Sequence, residues 1–251
     1  LNSYNQNAHL FKEIARTHPE RLSDAVTSMQ TNGSFITEKS VSGKTLNPTV
    51  LYFFALIAYA CMSGAYLSIE AVHDTQANLS PLGARRSITP YRKQFLIFID
   101  MLVLIFIHFI NVMILTFYLN YILDIDLGDN YLAILATNFM GSLIGICLGL
   151  MIGCIGKLTF SAKIGICTST TLLTGFLSGL MFGNMKDVVE QNAPILNRIN
   201  PAAVLSDAYY CISVYNDTLR YQRCMITLLI MSVLFLGIAF LGVRRERYDS
   251  I

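Results

Sequence analysis

Charge is what this sequence has least of: Asp, Glu, Lys and Arg make up 14% of its 251 residues, against 54% hydrophobic residues. A soluble domain carries about 25% charged residues, so much of this surface is unsuited to water and a bilayer is its natural solvent. There is no bias of sign either. The 18 Lys and Arg nearly balance 16 Asp and Glu, and a net charge of +2 gives no reason to expect nucleic acid as a partner. Six cysteines are present, but no C-x-x-C or Cys/His ligand spacing, so no metal site is expected. Cys61, Cys147, Cys154 and Cys167 lie inside apolar runs and read as small buried hydrophobes. For Cys211 and Cys224 two free thiols are favoured over a disulfide. The start of the chain lacks a charged region followed by an apolar core and cleavage site, so no signal peptide is read. Because it opens on Leu1, a fragment of a longer chain is expected. The apolar runs hold no paired Asp, Ser/Lys or His/Glu set, which argues against an intramembrane enzyme, and no catalytic residue is assigned.

What is present is length without charge. Residues 49–69, 101–123, 130–156, 164–185 and 224–243 contain no Asp, Glu, Lys or Arg. Each is long enough for the roughly 20 helical residues that a hydrocarbon core about 30 Å thick requires. The runs are continuous rather than alternating, which selects helices over barrel strands. The expected fold class is all-α, a polytopic transmembrane helical bundle with five visible spans.

Direction follows from the retention of positive charge on the cytoplasmic side. Arg85, Arg86, Arg92, Lys93, Lys157, Lys163, Arg244, Arg245 and Arg247 all fall on one set of connections. The alternate set has Asp124, Asp126 and Asp129 with no base, then four bases spread over residues 184–223. The C-terminus is therefore expected in the cytoplasm and residues 1–48 outside the cell, which calls for a sixth span upstream. Residues 1–48 form one expected unit, an extracellular segment, and residues 49–251 the membrane domain. Within the first, Leu10, Phe11, Ile14 and Ala15, then Leu22, Ala25, Val26 and Met29, repeat at helical spacing around His18-Pro19 and predict two short amphipathic helices. Ser42-Gly43-Lys44-Thr45 imitates the end of a phosphate-binding loop, but Glu38 stands where that pattern needs Gly, and no strand precedes it. Any ATP hydrolysis must come from elsewhere.

The third span carries Gly141, Gly145, Gly149 and Gly153, and the fourth carries Gly175, Gly179 and Gly183, each four residues apart. Such faces let helix backbones approach closely in lipid, so the third and fourth spans are expected to pack on one another. The seam is read either as static or as a surface along which helices slide. The second span holds Asp100, His108 and Asn111, expected on roughly one side of the helix and facing the bundle interior or a watery path. Tyr52, Tyr59, Tyr66, Tyr118 and Phe139 are the aromatic candidates for a transport path, with interfacial anchoring as the alternative. Residues 70–94 form a basic cytoplasmic loop whose mixed charge suits a short helix that docks a soluble partner. Residues 184–220 are too apolar for a simple loop and are broken by Pro194 and Asn200-Pro201, as in short helices that dip back into the bilayer.

This order of parts resembles the type-2 ABC transporter permeases, which export drugs, peptides, lipids or polysaccharide precursors. The residues that carry the resemblance are Asn47-Pro48 opening the first span, Glu70 closing it, Ser178-Gly179 in the fourth, and Asn200-Pro201 followed by Asp207-Ala208-Tyr209-Tyr210 before the last. The resemblance implies an outer re-entrant hairpin at Asn200 and Pro201, and a coupling helix within residues 70–94. It places Glu70, Asp74, Leu79, Arg85, Arg86 and Arg92 at the contact with a nucleotide-binding subunit. It implies two permease copies around the path, a homodimer or heterodimer, in the plasma membrane. No cofactor is expected in this chain; ATP and Mg would belong to the partner subunit. Tyr59, Tyr66, Asp100, His108 and Asn111 remain the path candidates. A second reading is an ATP-independent sensory or immunity protein that binds a peptide on its outer face.

Overall fold

The computed structural model describes residues 48–75, 80–88, 93–155, 158–215 and 217–245. The amphipathic helices and connector expected before residue 48, with Leu79, Arg92 and Lys157, lie outside these. Among the described residues the regular structure is helical throughout, and the chain is a multi-pass all-α bundle.

The first span is made of two stacked helices, α1 (Pro48–Met62) and α2 (Gly64–His73). They are interrupted at Ser63, whose hydroxyl donates back to the Ala60 carbonyl at 2.7 Å, a local bond that competes with the helical ladder. A short helix, α3 (Pro81–Ser87), starts with Ser80 accepting the Gly83 N–H at 2.9 Å and Pro81 in its first turn, where a missing N–H costs nothing. The second span, α4 (Lys93–Tyr121), begins well before the expected residue 101. Asp100 does not end the apolar run because Arg86 neutralises it, so the preceding Phe95 to Ile99 join the helix. The third, α5 (Tyr131–Gly153), is capped by Asn130, which accepts from the Ala133 N–H at 3.2 Å.

The fourth, α6 (Phe160–Leu177), stops eight residues before the expected end. Gly179 has φ +99°; its N–H donates to the Phe176 carbonyl at 3.1 Å and that of Leu180 to Gly175 at 3.2 Å. This paired closure with a left-handed glycine is a helix terminator. Gly179 is therefore a stop signal and no part of a packing stripe, contrary to expectation. Three short helices follow, α7 (Met185–Asn192), α8 (Pro194–Ile199) and α9 (Pro201–Tyr210), then one π turn (Cys211–Tyr215) and the last span, α10 (Thr218–Arg245). By length and hydropathy, α1 with α2, α4, α5 and α10 can each cross a membrane. The hydroxyl-rich α6 falls just short of them.

The glycine stripe of α5 meets the first span, not the fourth. A Cβ on Gly145 would lie 2.0 Å from the Cys61 carbonyl oxygen, and one on Gly149 2.1 Å from that of Ala65. At Gly141 it would meet Cys61 Sγ at 2.4 Å, and at Gly153 Val72 at 3.1 Å. The fourth span's glycines turn the same way: Gly175 lies against Tyr59 and Gly183 against Tyr52. The first span thus occupies the centre of the bundle, with Phe54, Ile57, Cys61, Met62, Ala65 and Ile69 all wholly buried. The α5 row, with Gly175 and Gly183, leaves room for it.

Candidate functional site

At one end of the bundle, α3 is strapped to α4. Arg86 Nη1 donates to Asp100 Oδ2 at 2.8 Å, with both side chains about two-thirds buried. Arg85 is exposed, and so are the apolar Leu82 and Ile88, the latter 84% accessible. Glu70 is exposed at the end of α2, and Asp74 caps that helix beside His73 at 3.6 Å. Leu82 and Ile88 had no signal in the sequence beyond their place in a basic loop. In the fold they give α3 an apolar edge beside Arg85.

Lys163, counted among the cytoplasmic loop bases, is 2% accessible. Its Nζ donates to the Gly153 carbonyl at the end of α5, where helix carbonyls carry partial negative charge.

The polar residues of the second span are not brought together. Asp100 belongs to the Arg86 pair. His108 is buried, its Nε2 3.1 Å from the Cys61 carbonyl and its ring filling the space beside Gly64. Asn111 is exposed on the outer surface of α4, among Phe106, Ile107, Ile110 and Ile114. At 3.6 residues per turn, eight positions leave His108 about 80° around the helix from Asp100. Tyr118 and Phe139 also point outward, at 44% and 46% accessibility, so neither faces the bundle interior.

Tyr59 and Tyr66 behave differently. Both lie between the first span and α6, Tyr59 against Gly175 and Tyr66 with its hydroxyl 3.1 Å from Thr168 Oγ1 and 3.3 Å from Thr171 Oγ1. Thr174 follows one turn on, and its carbonyl accepts Asn200 Nδ2 at 2.9 Å. The result is a row of hydroxyls along one seam that ends at the hairpin.

A second polar group was not foreseen. Asn138, wholly buried in α5, bonds the Tyr209 hydroxyl of α9 and, through Nδ2, Thr116 Oγ1 at 3.1 Å and Met113 Sδ at 3.1 Å on α4. In lipid such interhelical bonds hold elements in register. Asn138 sits inside an apolar run, and only its partners mark it out.

At the opposite end, α7 to α9 fold over the bundle. Asn200 caps α9 by accepting the Ala202 N–H at 3.0 Å, with Pro201 next to it, while its amide reaches α6. Lys186 of α7 pairs with Asp207 of α9, and Arg220 of α10 stands 3.6 Å from the same carboxylate. Around them lies a cavity of about 830 Å³ whose charged lining is Lys186, Asp187, Glu190, Arg198, Asp207, Arg220 and Arg223.

No curated protein and no solved structure matches this chain. A family model described as ABC-2 family transporter protein matches residues 2–241. With spans, strapped loop helix and folded-back hairpin in that order, the chain belongs to the ABC-2 family of membrane transporter proteins.

Proposed function

We propose that this chain is the permease subunit of an ATP-driven exporter and that a separate ATP-binding subunit docks on α3. The observation that carries the reading is the short helix Pro81–Ser87, which presents Leu82, Arg85 and Ile88 outward while Arg86 ties it to Asp100 of the second span. A helix that exposes apolar side chains and is tied to a span through Arg86 can pass a push from a soluble partner into that span. The orientation is the one expected from the bases, with α3 and the C-terminus in the cytoplasm, and with the hairpin and residues 1–48 outside. ATP and Mg belong to the partner.

The substrate path is assigned to the seam between the first span and α6, lined by Tyr59, Tyr66, Thr168 and Thr171. Its mixture of rings and hydroxyls suits an amphipathic cargo such as a drug-like molecule, peptide or lipid. A second copy is assigned to the exposed face of α6, where Ser161, Gly165 and Ser169 recur every four residues and a Cβ added at Gly165 would point into open space. Small, polar residues are poor lipid contacts and good helix contacts. Shifts between inward-open and outward-open bundles would then follow ATP binding by the partner.

The test is gentle solubilisation of the full-length tagged protein and identification of what copurifies. A stoichiometric ATP-binding subunit, lost on Leu82→Asp, is expected. Its absence under several mild detergents would favour the ATP-independent receptor reading.

A further inference from the structure

We propose that the cavity lined by the hairpin helices and α10 binds a water-borne zwitterion, a short peptide with free ends, whose ammonium meets Asp187 and Glu190 and whose carboxylate meets Arg198 and Arg223. The charges of this lining are of two kinds. Lys186, Asp207 and Arg220 are tied to one another within the protein. Asp187, Glu190, Arg198 and Arg223 are not: among the described residues none of these four forms an ion pair, although all four line the same cavity of about 830 Å³. They are also sorted by sign. Asp187 and Glu190 come from α7, three positions apart and so on one face of that helix, while Arg198 comes from α8 and Arg223 from α10. Acids and bases that share a concavity without closing on each other leave room for a molecule charged at both ends.

The acidic end is held in place. Asn197 also lines the cavity and is 6% accessible; its Nδ2 donates to Glu190 Oε2 at 2.9 Å and to the Lys186 carbonyl at 3.0 Å. Both amide hydrogens are thereby used, which sets the orientation of the amide, and its Oδ1 is left as a buried acceptor without a partner. The amide that holds the Glu190 carboxylate thus keeps one acceptor unspent, the kind of atom that gains most from a new N–H donor. At the other end, guanidinium groups are the side chains best matched to a carboxylate. Leu51, Val204 and Tyr210 supply an apolar part of the lining for the peptide's side chains. The size fits, since cavities of about 300–1,000 Å³ hold ligands of this class and an extended tripeptide spans about 10 Å. All four unpaired charged residues are exposed, and charge is costly against hydrocarbon, which favours a ligand from water over a lipid headgroup. The site is separate from the Tyr59 and Tyr66 seam, and binding here depends neither on the transport reading nor on which side the hairpin faces.

The test is isothermal titration of the purified full-length protein in detergent with tri-alanine, its N-acetylated form and its C-terminal amide. Expected is saturable binding of tri-alanine that weakens roughly tenfold or more when either end is blocked. Asp187→Asn with Glu190→Gln should remove the preference for the free amine, and Arg198→Gln with Arg223→Gln the preference for the free carboxylate. The thermal midpoint should stay unchanged in both, because these side chains are exposed. A blocked form that binds as well as tri-alanine, variants that keep both preferences, or no saturable binding up to the millimolar range would each overturn the assignment. Binding of ethanolamine phospholipid in nanodiscs without binding of tri-alanine would overturn the water-borne ligand in favour of a lipid headgroup. The titration needs neither ATP nor a partner subunit, so its failure leaves the transport reading standing, and a failure of transport leaves the titration result standing.

Discussion

Arg86 of the loop helix donates to Asp100 of the second span at 2.8 Å, across the one short segment that joins the first two spans. Both side chains keep about a third of their surface accessible, and a partly exposed pair of this kind contributes on the order of 1 kcal/mol or less to stability. Its value is positional: it fixes how the loop helix leans on α4.

Two variants separate docking from transmission. Asp100→Asn should leave insertion and retention of the ATP-binding subunit intact while ATP hydrolysis loses its response to substrate. Arg85→Glu with Leu82→Asp should instead release the subunit. The exchange Arg86→Asp with Asp100→Arg should restore part of the response that either change alone removes. Pull-down and hydrolysis assays on the same preparations check all three.

Gly145 and Gly149 should not tolerate even a methyl group. A Cβ there would lie 2.0 and 2.1 Å from backbone oxygens of the first span, so the helices must part, at a cost on the order of 2 kcal/mol. Gly145→Ala and Gly149→Ala are expected to lower the thermal midpoint in detergent. Gly237→Ala, whose added Cβ would point into open space, should not.

Asn138→Leu removes the bonds to Thr116 and Met113 and leaves the Tyr209 hydroxyl without its partner. Interhelical hydrogen bonds in membranes average about 0.6 kcal/mol, so a loss of about 1–2 kcal/mol is expected. Denaturation in mixed micelles would read it. Asn138→Asp, where the carboxyl can still accept from Tyr209, should lose less if it is neutral in lipid.

Gly165→Leu should disrupt the pairing of two copies without unfolding either, because its face of α6 is open in the single chain. Size-exclusion chromatography with multi-angle scattering would show a shift toward the single-permease species with helicity retained. An unchanged oligomer would remove α6 from the interface.

The spans were legible because lipid leaves one strong signal, long runs without charge, and the continuous runs excluded strands. Their ends were less so. The sequence marks Asp100 as a stop because a lone acid is costly in lipid, but the Arg86 that cancels the cost lies fourteen residues away. Gly179 fitted a four-residue spacing although its backbone conformation makes it a terminator; spacing carries no φ. The glycine rows announced a close approach without naming the helix that approaches. His108 shared a span with Asp100 and Asn111 but turned from their side into the bundle. Asn138 and the Lys186, Asp207 and Arg220 cluster depend on partners from distant helices, which no local pattern encodes. Tyr66, by contrast, is one of the aromatic path candidates, and its hydroxyl meets Thr168 and Thr171 across the seam.

The most direct test of the account is transport by the chain reconstituted in proteoliposomes with the ATP-binding subunit it copurifies with. The account predicts movement of an amphipathic cargo that needs ATP on the side of α3 and stops with Asp100→Asn, although the subunit remains bound. Movement that continues without ATP, or that ignores the change at Asp100, would contradict it.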